Sequence, residues 1–101
     1  MATGFVNLVV TEEFARSVGQ LDPALEVERL GILRALDELD ANPALLRNRL
    51  HALDRELRGW WSLTPPTPPG TLIRILIEPV RVGNSGLWRV GPVTRHYRRA
   101  T

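Results

Sequence analysis

The side chains best suited to proton chemistry are His96 and Tyr97, in the run VTRHYRRAT among Arg95, Arg98 and Arg99. Imidazole is the one side chain whose ordinary pKa lets it take or give a proton near neutrality. Neighbouring residues of a strand point to opposite faces, so this pair lines one cavity only near a strand end or at a bulge. Arg74 has a different kind of signal, because it interrupts the apolar run LIRILI. A cation there is costly unless it is paired or faces an open site. Two arrangements satisfy that condition: an ion pair with Glu78, four residues on and on the same face, or a guanidinium held rigidly by a sheet to meet a phosphate. His51 is the other histidine and reads by itself as a surface residue. Trp60, Trp61 and Trp88 are the large aromatics of the second half. At least one is needed to fill a core, and another is free to stack on an unpaired base among the arginines. No metal motif, phosphate loop, dinucleotide fingerprint or nucleophile elbow occurs, so neither metal nor cofactor is expected.

Charge points the same way. The 101 residues carry a net +2, yet residues 1–57 hold ten acidic side chains against six arginines, a net −4. Residues 58–101 hold seven arginines against Glu78 alone, a net +6, and the chain has no lysine. Arginine presents a planar fork of donors that grips phosphate through two bonds. A basic half on a small net charge predicts a one-sided anion-binding face. The length predicts one domain over residues 1–101. With 44% apolar and 24% charged residues the composition is that of a globular fold, without an apolar run long enough for a membrane span. The start MATGFVNLVV has no basic stretch ahead of its apolar residues, and the chain has no cysteine. A cytoplasmic protein is the expectation.

The elements that must position these residues are legible in outline. FVNLVV (5–10) is short, β-branched and apolar, and reads as a buried strand. Thr11 is placed to cap a helix with Glu12 and Glu13 in its first turn and Phe14, Val18 and Leu21 inside. A second helix restarts at Asp22-Pro23, buries Leu25, Ile32, Leu36 and Leu39 with help from Leu30 and Leu33, and stops at Asn42-Pro43. Residues 43–57 fit either a short helix or an extended loop. WWSL is strand-like, and TPPTPPG is a connector rather than a ligand for a proline-recognition domain. TLIRILIEPV (71–80) is the strongest strand, with Thr71, Ile73, Ile75 and Ile77 on one face and Leu72, Arg74, Leu76 and Glu78 on the other. GNSG (83–86) reads as a turn, and LWRVGPVTRHY (87–97) as a last strand interrupted by Gly91-Pro92. The expected fold is α+β: an N-terminal strand, two helices, then a three-stranded antiparallel meander. Helices cover one face of its sheet, and Arg74 with several late arginines occupies the other.

These motifs together resemble the YoeB branch of the RelE/ParE toxin superfamily. Its pattern of leucines, a glycine, an aromatic, Trp and Ser, then an Arg-bearing strand and a closing His-Tyr, is met here by Leu53, Leu57, Gly59, Trp60, Trp61 and Ser62, then Arg74, then His96 and Tyr97. The resemblance spans essentially the whole chain, and its N-terminal half matches only in the order of elements. It implies the RelE-like microbial ribonuclease fold and a type II toxin held silent by a cognate antitoxin. The implied activity is a ribosome-dependent messenger-RNA endonuclease that inhibits translation by cleaving RNA through its own 2′-hydroxyl. By family position His96 is an acid–base residue, Arg74 the phosphate stabiliser, and Tyr97 a nucleotide-orienting or proton-transfer residue. Arg58, Arg89, Arg95 and Arg98 would engage RNA phosphates, and Trp60 an RNA base.

The sequence departs from the family in three places. Leu63 and Thr64 stand where basic residues usually follow Trp-Ser. His51 stands at the family's carboxylate base, with Glu56 close in sequence. Four residues follow Tyr97, where relatives tend to stop. Two other functions fit the same fold: a ParE-like poison of a protein target such as gyrase, and a catalytically weak remnant that binds antitoxin or RNA. The expected partners are the antitoxin, the ribosome and its messenger. A homodimer or a toxin–antitoxin hetero-oligomer is the expected assembly, with no membrane.

Overall fold

Alternation along one strand organises the molecule. In the computed structural model, which describes residues 5–20, 26–66 and 73–95, strand β4 runs over Ile73–Val82. Ile73, Ile75 and Ile77 are 3%, 0% and 0% exposed, while Arg74, Leu76 and Glu78 between them are only partly covered. Such a period of two is what a sheet with one packed face requires. Strands β1 (Leu8–Val10), β2 (Leu50–Ala52), β3 (Trp61–Leu63) and β5 (Ser85–Arg95) complete a five-stranded sheet in the order β1-β5-β4-β3-β2. The pair β1–β5 is parallel and the others are antiparallel. The class is therefore the α+β one expected, with one strand more after the helices than the predicted meander. The added strand β2 comes from the ambiguous segment 43–57. That segment is a 3₁₀ stretch (Pro43–Arg49), β2 and a further 3₁₀ turn (Arg55–Leu57), rather than one helix or one loop. Fully buried Leu46 anchors it, and Arg49 pairs with Glu38 at 3.1 Å.

The last strand is not interrupted at Gly91-Pro92. Ile75 opposes Val93 and Ile77 opposes Val90, so two residues of β5 stand against Leu76 alone. This is a β-bulge, one of the places in a sheet that tolerate a residue without an N–H. Gly83 adopts φ +62° at the β4–β5 turn, where a residue with a Cβ is strained.

Helix α1 (Glu12–Gly19) begins as its residues dictate: the Thr11 hydroxyl accepts the Phe14 N–H at 3.1 Å and donates to the Val90 carbonyl at 2.7 Å. One turn on, the Ser17 hydroxyl accepts the Val93 N–H at 2.8 Å, so α1 seals part of the outer edge of β5. Helix α2 (Glu26–Ala41) buries Gly31, Ile32, Ala35, Leu36 and Leu39 against the sheet. Leu30 and Leu33, expected to help that face, are instead 60% and 52% exposed. At about 100° per residue they lie far round the helix from Ile32, whereas positions four and seven on return to its side. Asp40 ties the helix end to β1, its carboxylate accepting the Val6 and Asn7 N–H groups at 2.9 and 2.6 Å. The predicted cap Asp22-Pro23 and the inner residues Leu21 and Leu25 lie outside the described residues, as do Thr71 and Leu72. Among the described residues no helix is long and apolar enough to cross a membrane.

Candidate nucleic-acid interface

The face of the sheet turned away from the helices collects the polar side chains of β2 to β5. Register fixes the rows. His51 opposes Ser62, which opposes Leu76; Arg74 opposes Thr94; Glu78 opposes Arg89. Arg74 is half-buried, and its Nε donates to the Thr94 hydroxyl at 3.4 Å. The expected alternative pairing of Arg74 with Glu78 does not form, because Glu78 holds Arg89 instead. Four residues along a strand separate Cα atoms by about 13 Å, whereas directly opposed side chains begin about 5 Å apart. The guanidinium of Arg74 is thus left with no acidic partner among the described residues.

At the Glu78 end the three tryptophans divide their work. Trp61 and Trp88 meet edge to face at 5.8 Å on the helix side of the sheet, packed against the core. Trp60 lies on the open face, with the Arg89 guanidinium 5.5 Å from its ring centre. Gly91 makes room for it: a Cβ at that position would stand 2.9 Å from Trp60 Cζ3 and 3.0 Å from the Leu76 carbonyl oxygen. Gly91→Val is therefore expected to destabilise the fold by about 1–3 kcal/mol, because a rigid ring and a backbone oxygen must both move. Urea unfolding measures the loss, and a changed tryptophan emission of the folded variant reports the displaced Trp60.

The sequence-predicted residues are only partly gathered. His51 is exposed on edge strand β2, with its Cα about 12 Å from that of Arg74 by strand spacing and rise. Glu56 and Arg58 are exposed on the loop that joins β2 to β3, where Leu53 donates to the Trp60 carbonyl at 2.9 Å. That loop lies toward Glu78, so the fold brings neither residue beside Arg74. The Arg95 backbone opposes Ile73 at the end of β5, and the chain continues from it as His96. His96, Tyr97 and Arg98 lie outside the described residues.

Leu63, at the first position where the family carries basic residues, is fully buried. At the second, the Thr64 N–H donates to the Arg49 carbonyl at 2.8 Å. Ser62, marked in the sequence only as part of the Trp-Ser motif, is buried, 5% exposed, between His51 and Leu76, and Thr94, which no sequence signal marks, orients Arg74. Only the strand register places them on this face. Among the described residues no group of three or more His, Asp or Glu side chains is placed to hold a metal ion.

Comparison with known proteins adds one firm fact. The fold is similar to a chain of the RelBE2 toxin–antitoxin complex of Mycobacterium tuberculosis. The TM-score is 0.54, over 91% of this chain and 99% of that one, at 18% sequence identity. At that identity the likeness is one of fold, and it is the RelE-like α+β fold expected above. No protein-family model matches the sequence, and no curated protein does.

Proposed function

We propose that residues 1–101 form a single-domain toxin of a type II toxin–antitoxin system, a ribosome-dependent endonuclease of messenger RNA of the YoeB kind. The observation that carries this reading is Arg74, a cation held by the central strand of an open sheet face with no acidic partner among the described residues. The likeness in fold to a chain of a toxin–antitoxin complex supports it.

The reaction needs neither metal nor cofactor. The ribose 2′-oxygen bonds to the adjacent phosphorus and the bond from phosphorus to the 5′-oxygen breaks, leaving a 2′,3′-cyclic phosphate and a 5′-hydroxyl. His51, on the same face as Arg74, takes the 2′-hydroxyl proton, whereas Glu56 stands on the β2–β3 loop away from Arg74. His96 delivers a proton to the leaving 5′-oxygen, and Tyr97 orients the nucleotide. Arg74 neutralises the charge that builds on the phosphorane, a task for which a donor fixed in advance is worth most. Arg58, Arg95 and Arg98 engage phosphates of messenger and ribosomal RNA, and Arg89, held by Glu78, joins Trp60 in contacting a base. An acidic segment of the antitoxin silences the protein by covering this face. The protein works in the cytoplasm, where translating ribosomes are.

The absence of a cation at Leu63 and Thr64 favours the remnant that binds antitoxin or RNA as the second reading. Purified protein added to a cell-free translation reaction is expected to cut the messenger when ribosomes translate it and to leave it whole when they are omitted. Gyrase-dependent DNA breaks with intact RNA would replace this reading with the ParE-like one. Tight antitoxin binding with neither activity would replace it with the remnant.

A further inference from the structure

Within the arginine-rich half, the lone carboxylate sits on the open face of the central strand, at the end where β3 begins. Glu78 is the only acidic residue of 58–101, and it stands on the central strand opposite Arg89, whose guanidinium lies 5.5 Å from the centre of the partly covered Trp60 ring. A carboxylate repels phosphate, so at this position the face is unsuited to an RNA backbone and suited to a base.

The three side chains form one unit. Arg89 Nη2 donates to Glu78 Oε1, its guanidinium lies over the Trp60 ring, and Gly91 leaves the space that the ring occupies. Glu78 Oε2 has no partner among the described residues, and the Glu78 side chain keeps 22% of its surface open. The unit therefore presents acceptors from Glu78, donors from Arg89 and an aromatic ring together. A carboxylate accepts only, and a guanidinium donates only.

We propose that Trp60, Glu78 and Arg89 form a base-reading site selective for an unpaired guanine. The inference rests on the reading of this face as an RNA-binding surface and adds what that surface selects. Guanine alone among the four bases offers two adjacent donors, N1–H and the N2 amino group, next to the acceptor O6. The donors match the carboxylate, O6 matches the guanidinium, and the ring stacks on Trp60. Uracil flanks its one donor with two carbonyls that face the carboxylate, and adenine and cytosine each put a ring-nitrogen acceptor there. Glu78 lies about 13 Å along β4 from Arg74, so the base read belongs to a nucleotide near the scissile phosphate rather than to a distant site. Glu78 is a specificity residue here, with no role in bond breaking.

Binding of the pentaribonucleotides UUGUU, UUAUU, UUCUU and UUUUU, followed by tryptophan fluorescence of the full chain, tests the site without requiring cleavage. Wild type is expected to bind UUGUU about tenfold or more tighter than UUUUU. Glu78→Ala is expected to bring that ratio close to one while phosphate-driven binding of all four persists or strengthens. Glu78→Gln, which replaces one acceptor oxygen with a donor, is expected to lose most of the preference without emptying the site. Equal binding of all four by wild type, no binding of any, or a preference that survives Glu78→Ala would each overturn the proposal. The endonuclease reading is judged separately, since cleavage on ribosomes without a guanine preference refutes the base-reading site alone.

Discussion

Arg74→Ala is expected to lower the rate of ribosome-dependent RNA cleavage by about 10²–10³-fold, the loss typical when one fixed donor to a developing anion is removed. The variant is expected to stay folded. The Arg74 side chain is half-buried, makes one side-chain hydrogen bond of 3.4 Å to Thr94 and joins no ion pair among the described residues. Its deletion therefore removes little packing and strands no buried charge. Arg74→Lys keeps the charge but not the planar fork and should recover only part of the rate. Cleavage rates on translating ribosomes, read beside the denaturation midpoint, separate the two effects. A drop in both would make Arg74 a structural residue. An unchanged rate would remove it from the chemistry.

Why Arg74 is available at all illustrates what sequence can and cannot carry. Its place on a sheet face opposite the core follows from the alternation of Ile73, Ile75 and Ile77, because burial on one face imposes a period of two. Its freedom from Glu78 does not follow, since spacing along one strand is silent about what the next strand places opposite. The partner of Glu78 is set by the register that pairs it with Arg89, and that register depends in turn on the bulge at Gly91-Pro92. The same limit hid Thr94, and the place of Ser62 on this face. Gly91 and Pro92 were legible as a disturbance, though not as the pocket that seats Trp60.

The helices divide similarly. Thr11 and the stop at Asn42-Pro43 were readable because capping and proline chemistry are local. The burial of α2 was misread at Leu30 and Leu33, where apolar composition suggested a wider face than the helical phase permits. Strand β2 spans three residues and has too little sequence to show a period. Its neighbours Arg47 and Arg55 take positive φ values of 52° and 57°, which no sequence signal marks. The charge division was fully visible in the sequence. On the face it becomes Arg74 and Arg89 on the open side and the acidic α2 on the other.

The second large effect is expected at His96. His96→Ala should lower cleavage by about 10²–10⁴-fold, the usual contribution of a placed general acid or base, with no loss of ribosome association, which the arginines dominate. The account assigns this residue the proton of the leaving 5′-oxygen, so the defect belongs to the bond-breaking step and not to binding. Mapping of the 5′ ends of a messenger on translating ribosomes, with wild type and His96→Ala in parallel, tests the central claim most directly. The account predicts discrete cuts that require ribosomes and wild-type protein and that disappear in the variant. An uncut messenger with folded wild-type protein, or the same cuts with both proteins, would contradict it.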